Sequence, residues 1–155
     1  MAILFSFGSN SLDQLSERLG HQITNTYAAY LPGYQRVFRG WSTKWGGGTA
    51  HALKTKGKII YGYVAEVSAA DLHRLDIPEG ALMTPPKTKR KLILVKVLIP
   101  GAEKPVNRQA SIYLSTSRTF NPPSYEYLQA VTKTVSTFWS EGEGKVITPE
   151  SFEIV

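Results

Sequence analysis

Two places in this 155-residue chain carry residue types that can do chemistry. The first is Phe5-Ser6-Phe7-Gly8-Ser9-Asn10-Ser11. An apolar run, Ile3-Leu4-Phe5-Ser6-Phe7, stops at Gly8, and Leu12, Leu15 and Leu19 then recur on one face, a pattern that reads as strand, tight glycine turn and helix. Ser11-Leu12-Asp13-Gln14 has the capping-box spelling, so Asn10 or Ser11 accepts from the first free N–H groups and Gly20 ends the helix. A helix start aimed out of a strand end collects unpaired N–H donors and positive dipole, and so suits a carboxylate. A plain strand-to-helix connection is spelled the same way. The second place is Glu79-Gly80, delivered just beyond the end of a short helix. Metal chemistry has little to draw on, because cysteine is absent and His21, His51 and His73 lie far apart without ligand-like spacing.

Several elements must position these residues. After the first helix, Ile23 to Tyr30 is β-branched and aromatic, Leu31-Pro32-Gly33 signals a turn, and Tyr34 to Phe38 alternates polar and apolar side chains. Trp41 to Gly48 interrupts with two tryptophans and three glycines, which either let backbone pass close to a ligand or form a loose turn. Thr49 to Leu53 resumes as a short strand. Ile59 to Val67 is apolar at nearly every position, a strand buried on both faces for part of its length, with Gly62 where a second backbone approaches closely. Ser68-Ala69-Ala70-Asp71 has the capping-box form and starts a helix carrying Leu72 and Leu75, stopped near Asp76 by Pro78. Lys91 to Pro100 and Gln109 to Leu114 read as two more strands. Pro122-Pro123-Ser124 opens a last helix with the face Tyr127, Leu128, Val131, Val135 and Phe138, and Trp139 beside it. Beyond the breaker Glu141-Gly142-Glu143-Gly144, the tail Lys145 to Val155 has apolar residues able to pack back on the body. Six or seven strands unevenly interleaved with three helices predict a single α+β domain over 1–155, built on a mixed, barrel-like sheet with a few flanking helices.

Composition bounds the function. The chain is 42% hydrophobic and 19% charged, a globular balance. No basic leader precedes a long apolar stretch and no segment is long and apolar enough to span a bilayer, so no membrane partner and a cytoplasmic location are the default expectations. Net charge is +6, and Arg18, Arg36, Arg39, Lys44, Lys54, Lys56 and Lys58 fall in a run through Ala65 that holds no acid. A second basic cluster is Lys87, Lys89, Arg90 and Lys91, while carboxylates gather at Glu141, Glu143, Glu150 and Glu153. With Trp41 and Trp45 interspersed, the basic run admits a nucleic-acid-binding reading, but a solvated basic face is the commoner outcome.

The ordered motifs resemble the γ-glutamylcyclotransferase superfamily, including its AIG2-like proteins. Phe5-Ser6-Phe7-Gly8-Ser9-Asn10-Ser11 stands where that family has a Phe-Ala-Tyr-Gly-Ser-Asn-Leu type loop. Leu31-Pro32-Gly33-Tyr34, the Trp-Gly-Gly-Gly segment ending at Gly48, Ile60 to Val64 with Ser68 to Leu72, Leu75-Asp76-Ile77-Pro78-Glu79-Gly80 and Pro123 to Leu128 follow in order. The most specific element is the pairing of the Gly-Ser-Asn loop with Leu-Asp-x-x-Glu-Gly.

That resemblance implies a reaction. The free α-amino group of a γ-glutamyl substrate attacks its own γ-carbonyl, expels the attached amine and closes 5-oxoproline, with no cofactor required. It assigns Glu79 as general base and then general acid, and Phe7, Gly8, Ser9 and Asn10 as holders of the substrate's α-carboxylate or γ-carbonyl oxygen. Tyr127 aligns with a pocket-lining tyrosine, although its helical spacing equally suits a core residue. Three departures stand out: Phe7 replaces the usual Tyr, Ser11 replaces the usual Leu, and Ala81 to Pro86 lacks the aromatic that commonly follows the glutamate. They leave two alternatives beside the enzyme: a non-catalytic small-ligand-binding module and, less favoured, a nucleic-acid-binding domain.

Overall fold

The computed structural model describes residues 2–139. Its strands are β1 (Ala2–Ser6), β2 (Thr26–Ser42), β3 (Gly47–Val67), β4 (Thr88–Val97) and β5 (Val106–Ser115); its helices are α1 (Leu12–Leu19), α2 (Ala69–Asp76) and α3 (Tyr125–Trp139). The strands close into a barrel in the order β1-β3-β2-β4-β5, antiparallel throughout except where β5 meets β1 in parallel at Leu4 and Ser111. The fold class is thus α+β, a closed mixed barrel with flanking helices.

The two-residue period of a strand sorts the core into layers. Ile3 and Phe5 of β1, Ile60 and Val64 of β3, and Ala110 and Ile112 of β5 fill the barrel. Their neighbours Leu4, Tyr63, Ala65, Val67 and Tyr113 face outward and are covered by Leu15 and Leu19 of α1 and by Leu72 and Leu75 of α2. Burial on both sides accounts for the apolar run only from Gly62 to Ala65, since Ile59 and Tyr61 are exposed. A third cluster joins Phe38 to Tyr127, Val131 and Val135, and seats α3.

The sequence reading of six or seven strands is corrected: the described residues hold five, because four short stretches fuse into two long ones. Leu31-Pro32-Gly33 is not a chain reversal. Pro32 pairs with Ile59 and Tyr34 with Lys54, so Gly33 alone stands opposite residues 55–58 in a wide bulge, with positive φ at both Gly33 and Gly57. A bulge bends the ribbon without ending it. The true reversal lies at residues 43–46, closed by the Gly46 N–H donating to the Ser42 carbonyl at 2.8 Å.

The helix ends follow the spelling more closely. Ser11 caps α1 and accepts from the Gln14 N–H, and Gly20 ends it in the left-handed conformation at φ 73. Ser68 and Asp71 complete a reciprocal capping box on α2. Ser124 Oγ accepts from the Tyr127 N–H at the start of α3. No described helix is long and apolar enough to cross a membrane. The proposed packing of the tail Lys145 to Val155, and the carboxylates Glu141, Glu143, Glu150 and Glu153, lie outside the described residues.

Candidate active site

The loop after β1 is shaped from within. Its turning point is the Asn10 carbonyl, which accepts from both the Ser6 and the Tyr63 hydroxyls at 2.7 Å. Those two side chains are buried, so the loop is held against a fixed floor. Gly8 needs to be small: a Cβ there would sit 3.2 Å from the Tyr127 hydroxyl and 3.4 Å from Ala50 Cβ. The Phe7 carbonyl accepts from Arg36 Nε at 2.9 Å, and Arg36 Nη2 donates to the Tyr61 carbonyl at 2.8 Å. Burial pulls the Arg36 guanidinium down to about 10, which leaves it fully charged at neutral pH. Within the described residues the N–H groups of Gly8, Ser9 and Asn10 donate no hydrogen bond, so they are available to an oxygen ligand.

Glu79 arrives from the other side of the site. The turn after α2 is wound tight, with Glu79 N–H donating to Leu75 O at 3.0 Å and Ala81 N–H to Asp76 O at 2.9 Å. Gly80 at φ 76 takes a conformation that side-chain-bearing residues avoid. The turn projects the Glu79 carboxyl onto the loop, where Asn10 Nδ2 donates to Oε1 at 2.6 Å. Arg18 from α1 completes the group: its Nη1 donates to Asn10 Oδ1 at 2.8 Å and lies 3.4 Å from Glu79 Oε1. Burial pushes the Glu79 carboxyl above the ordinary carboxylate range; the Asn10 hydrogen bond and the Arg18 charge pull back without cancelling it, and the Asp76 charge adds to the rise. Only 19% of the side chain meets solvent, although Glu79 sits in a turn just past a helix end.

Tyr127 is both things its sequence allowed. Its ring packs edge-on against Phe38 and Trp45, with centroids 6.2 and 5.4 Å away, and is buried. Its hydroxyl accepts the Ala50 N–H at 2.8 Å and faces the cavity. That cavity, about 60 Å³, is lined by Phe7, Gly8, Ser9, Asn10, Glu79 and Tyr127 together, with Tyr113 and Ala50 also on its wall. All six residues picked from the sequence therefore meet at one site.

Two members of the site escaped the sequence reading. Arg18 was counted only as part of a basic run; the available signal was its place on α1 between the buried Leu15 and Leu19, at the border of the apolar stripe. Tyr113 donates to Asp76 Oδ1 at 2.7 Å, and Asp76 is gripped by Arg90 through Nε at 3.0 Å and Nη2 at 3.2 Å. Burial alone would raise the Asp76 carboxyl, but these partners hold it below its ordinary range. The glycines after Trp45 serve protein backbone: a Cβ on Gly47 would lie 2.7 Å from the Pro122 carbonyl, and one on Gly48 would run into the Asn121 carbonyl. His51, buried beside Arg39, is held down to about 4, first by burial and then by that charge.

The family model described as gamma-glutamyl cyclotransferase, AIG2-like, matches residues 4–132 of this chain. No curated protein sequence matches it. Among solved structures, one titled gamma-glutamyl cyclotransferase is similar at 20% identity and a TM-score of 0.76, over 88% of this chain and 79% of that one. An uncharacterized human protein is similar at 22% identity and a TM-score of 0.73, covering 99% and 89%. A yeast γ-glutamyl cyclotransferase specific to glutathione superposes at 11% identity with a TM-score of 0.69, covering 97% and 93%. At such identities these structures speak for the fold.

Proposed function

The chain belongs to the gamma-glutamyl cyclotransferase, AIG2-like family, and from that membership and the geometry of the cavity we propose a cofactor-independent cyclotransferase acting on a small γ-glutamyl substrate. The observation that carries the reading is the meeting of Glu79 with the Phe7 to Asn10 loop, joined by the 2.6 Å hydrogen bond from Asn10 across 69 positions of sequence. The α-nitrogen forms a bond to the γ-carbon and the γ-amide C–N bond breaks, so the products are 5-oxoproline and the free amine. Nucleophile and electrophile share one molecule, and the protein's work is to hold the folded conformer and relay protons from the α-nitrogen to the departing one.

Glu79 takes one proton from the substrate ammonium and gives it to the departing nitrogen as the C–N bond breaks; the second proton, which the α-nitrogen sheds on becoming the lactam N–H, passes by the same carboxyl to the freed amine, which leaves as an ammonium. A carboxyl raised above its ordinary range is a better match for both halves of this cycle at neutral pH than an unperturbed one. The free N–H groups of Gly8, Ser9 and Asn10 hold the α-carboxylate or the γ-carbonyl oxygen as negative charge develops. Tyr127, its hydroxyl held by the Ala50 N–H, shapes the opposite wall. Phe7 stacks on Phe5 at 5.8 Å and presents a ring where relatives present a hydroxyl, a difference that bears on which substrate is taken.

The test is to incubate the purified protein with γ-glutamyl amino acids, glutathione and γ-glutamyl-ε-lysine and to detect 5-oxoproline by mass spectrometry. Release from any of them supports the proposal. No release, combined with thermal stabilisation by the same compounds, would overturn turnover in favour of a binding module.

A further inference from the structure

Both protein contacts to the Glu79 carboxyl fall on one oxygen. Oε1 accepts from Asn10 Nδ2 at 2.6 Å and lies 3.4 Å from Arg18 Nη1, while Oε2 has no hydrogen-bond partner among the described residues. The same Arg18 nitrogen donates to Asn10 Oδ1 at 2.8 Å. A guanidinium only donates, so it requires the oxygen end of the Asn10 amide and thereby turns the amino end toward Glu79.

We propose that Arg18 is the positioning residue of the site, orienting the Asn10 amide and fixing Glu79 Oε1 so that Oε2 is the oxygen left to carry the proton. This inference rests on the cyclotransferase reading and names how its acid–base group is set. It also sorts the charges around Glu79. The groups facing it are Arg18 and Asn10 from α1 and the loop before it, Asp76 from α2, Tyr113 from β5 and Tyr127 from α3. Both tyrosines are pushed above their ordinary range, chiefly by burial, and stay neutral at working pH. Among the described residues, Asp76 carries the like charge acting on Glu79 and Arg18 the opposing one. Without Arg18, burial and Asp76 act with only the Asn10 hydrogen bond against them, and Asn10 loses the partner that fixes its orientation.

The experiment is a carbon-13 NMR titration of the Glu79 side-chain carboxyl, assigned by its loss in Glu79→Gln, in the wild type, Arg18→Met and Arg18→Lys. This readout needs no substrate, so it stands even if no 5-oxoproline is ever detected, which would count against the proposed function alone. The Glu79 midpoint is expected to rise in Arg18→Met and to lie nearer wild type in Arg18→Lys, which keeps the charge but not the planar fork. With a turned-over substrate, kcat/KM of Arg18→Met near pH 6 should fall about ten-fold relative to its plateau at higher pH, with KM little changed. An unchanged midpoint in a folded Arg18→Met protein would overturn the proposal. Should that variant fail to fold, an unchanged Glu79 midpoint in a folded Arg18→Gln protein, which lacks the charge, would overturn it as well.

Discussion

Asn10 shows how much a single residue does here, since its carbonyl anchors the loop and its amide joins the helix cation to the carboxyl. Glu79 is raised by burial, so its base form is lost as pH falls through a value above the usual carboxylate range of about 4.3. The acidic limb of kcat/KM is therefore expected above that range, and a limb at an ordinary carboxylate pH would contradict the assignment. Tyr127→Phe removes the acceptor of the Ala50 N–H and leaves a part-buried donor unpaired. It should cost about 1–3 kcal/mol, read from the denaturant midpoint, and the ring packing on Phe38 and Trp45 should survive. Phe7 to Asn10 and Glu79 could be picked out because short motifs name a loop and a post-helix turn, and Tyr127 because it falls in the Pro123 to Leu128 motif that opens α3. Arg18 could not be, because its partner Glu79 is 61 positions away and its place at the border of the apolar stripe of α1 does not by itself mark a site.

The elements explain how the site is supported and where sequence reading faltered. Gly62 in β3 lies against β1 so closely that a Cβ would collide with the Ser6 carbonyl and touch the Phe5 ring at about 3.1 Å. Gly62→Ala should therefore destabilise by about 1–3 kcal/mol and displace the end of β1 from which the loop springs; unchanged thermal stability would refute the close packing. The two helices that support the site are tied by His21 Nε2 and Asp71 Oδ1 at 2.9 Å. His21 is raised, chiefly by that hydrogen bond, so its contribution is complete below the unfolded value near 6.5 and lost as pH rises through the higher folded one. The melting-temperature gap between wild type and His21→Gln should be larger at about pH 5.5 than at about pH 8.5. Caps were readable because they are local hydrogen bonds spelled by adjacent residues. The Leu31-Pro32-Gly33 bulge was not, because whether a Pro-Gly pair reverses or merely bends a ribbon depends on the partner strand, here residues 54–59.

At the scale of the molecule, the barrel brings β1, α2 and α3 to one cavity, and the mixed α+β class was visible in the uneven interleaving of strand and helix patterns. Charge was the misleading signal. Of the acid-free basic run, Arg18 turns to Glu79, Arg36 to the Phe7 and Tyr61 carbonyls, Arg39 to the Phe120 ring at 4.9 Å and Lys44 to the Trp45 ring at 5.1 Å. Lys54, Lys56 and Lys58 of the same run stand at exposed positions on β3, so the positive count overstates, without abolishing, the basic surface. Retention on immobilised single-stranded DNA is expected to vanish at about 0.15 M salt, and binding that persists there with a steep salt slope would revive the nucleic-acid reading. The most direct test of the whole account sets wild type beside Glu79→Gln with the same γ-glutamyl substrates, following 5-oxoproline by mass spectrometry and folding by thermal melting. Production by wild type and its loss in a variant that melts as a folded protein is the predicted result; equal production by both would contradict the central claim that Glu79 moves the proton.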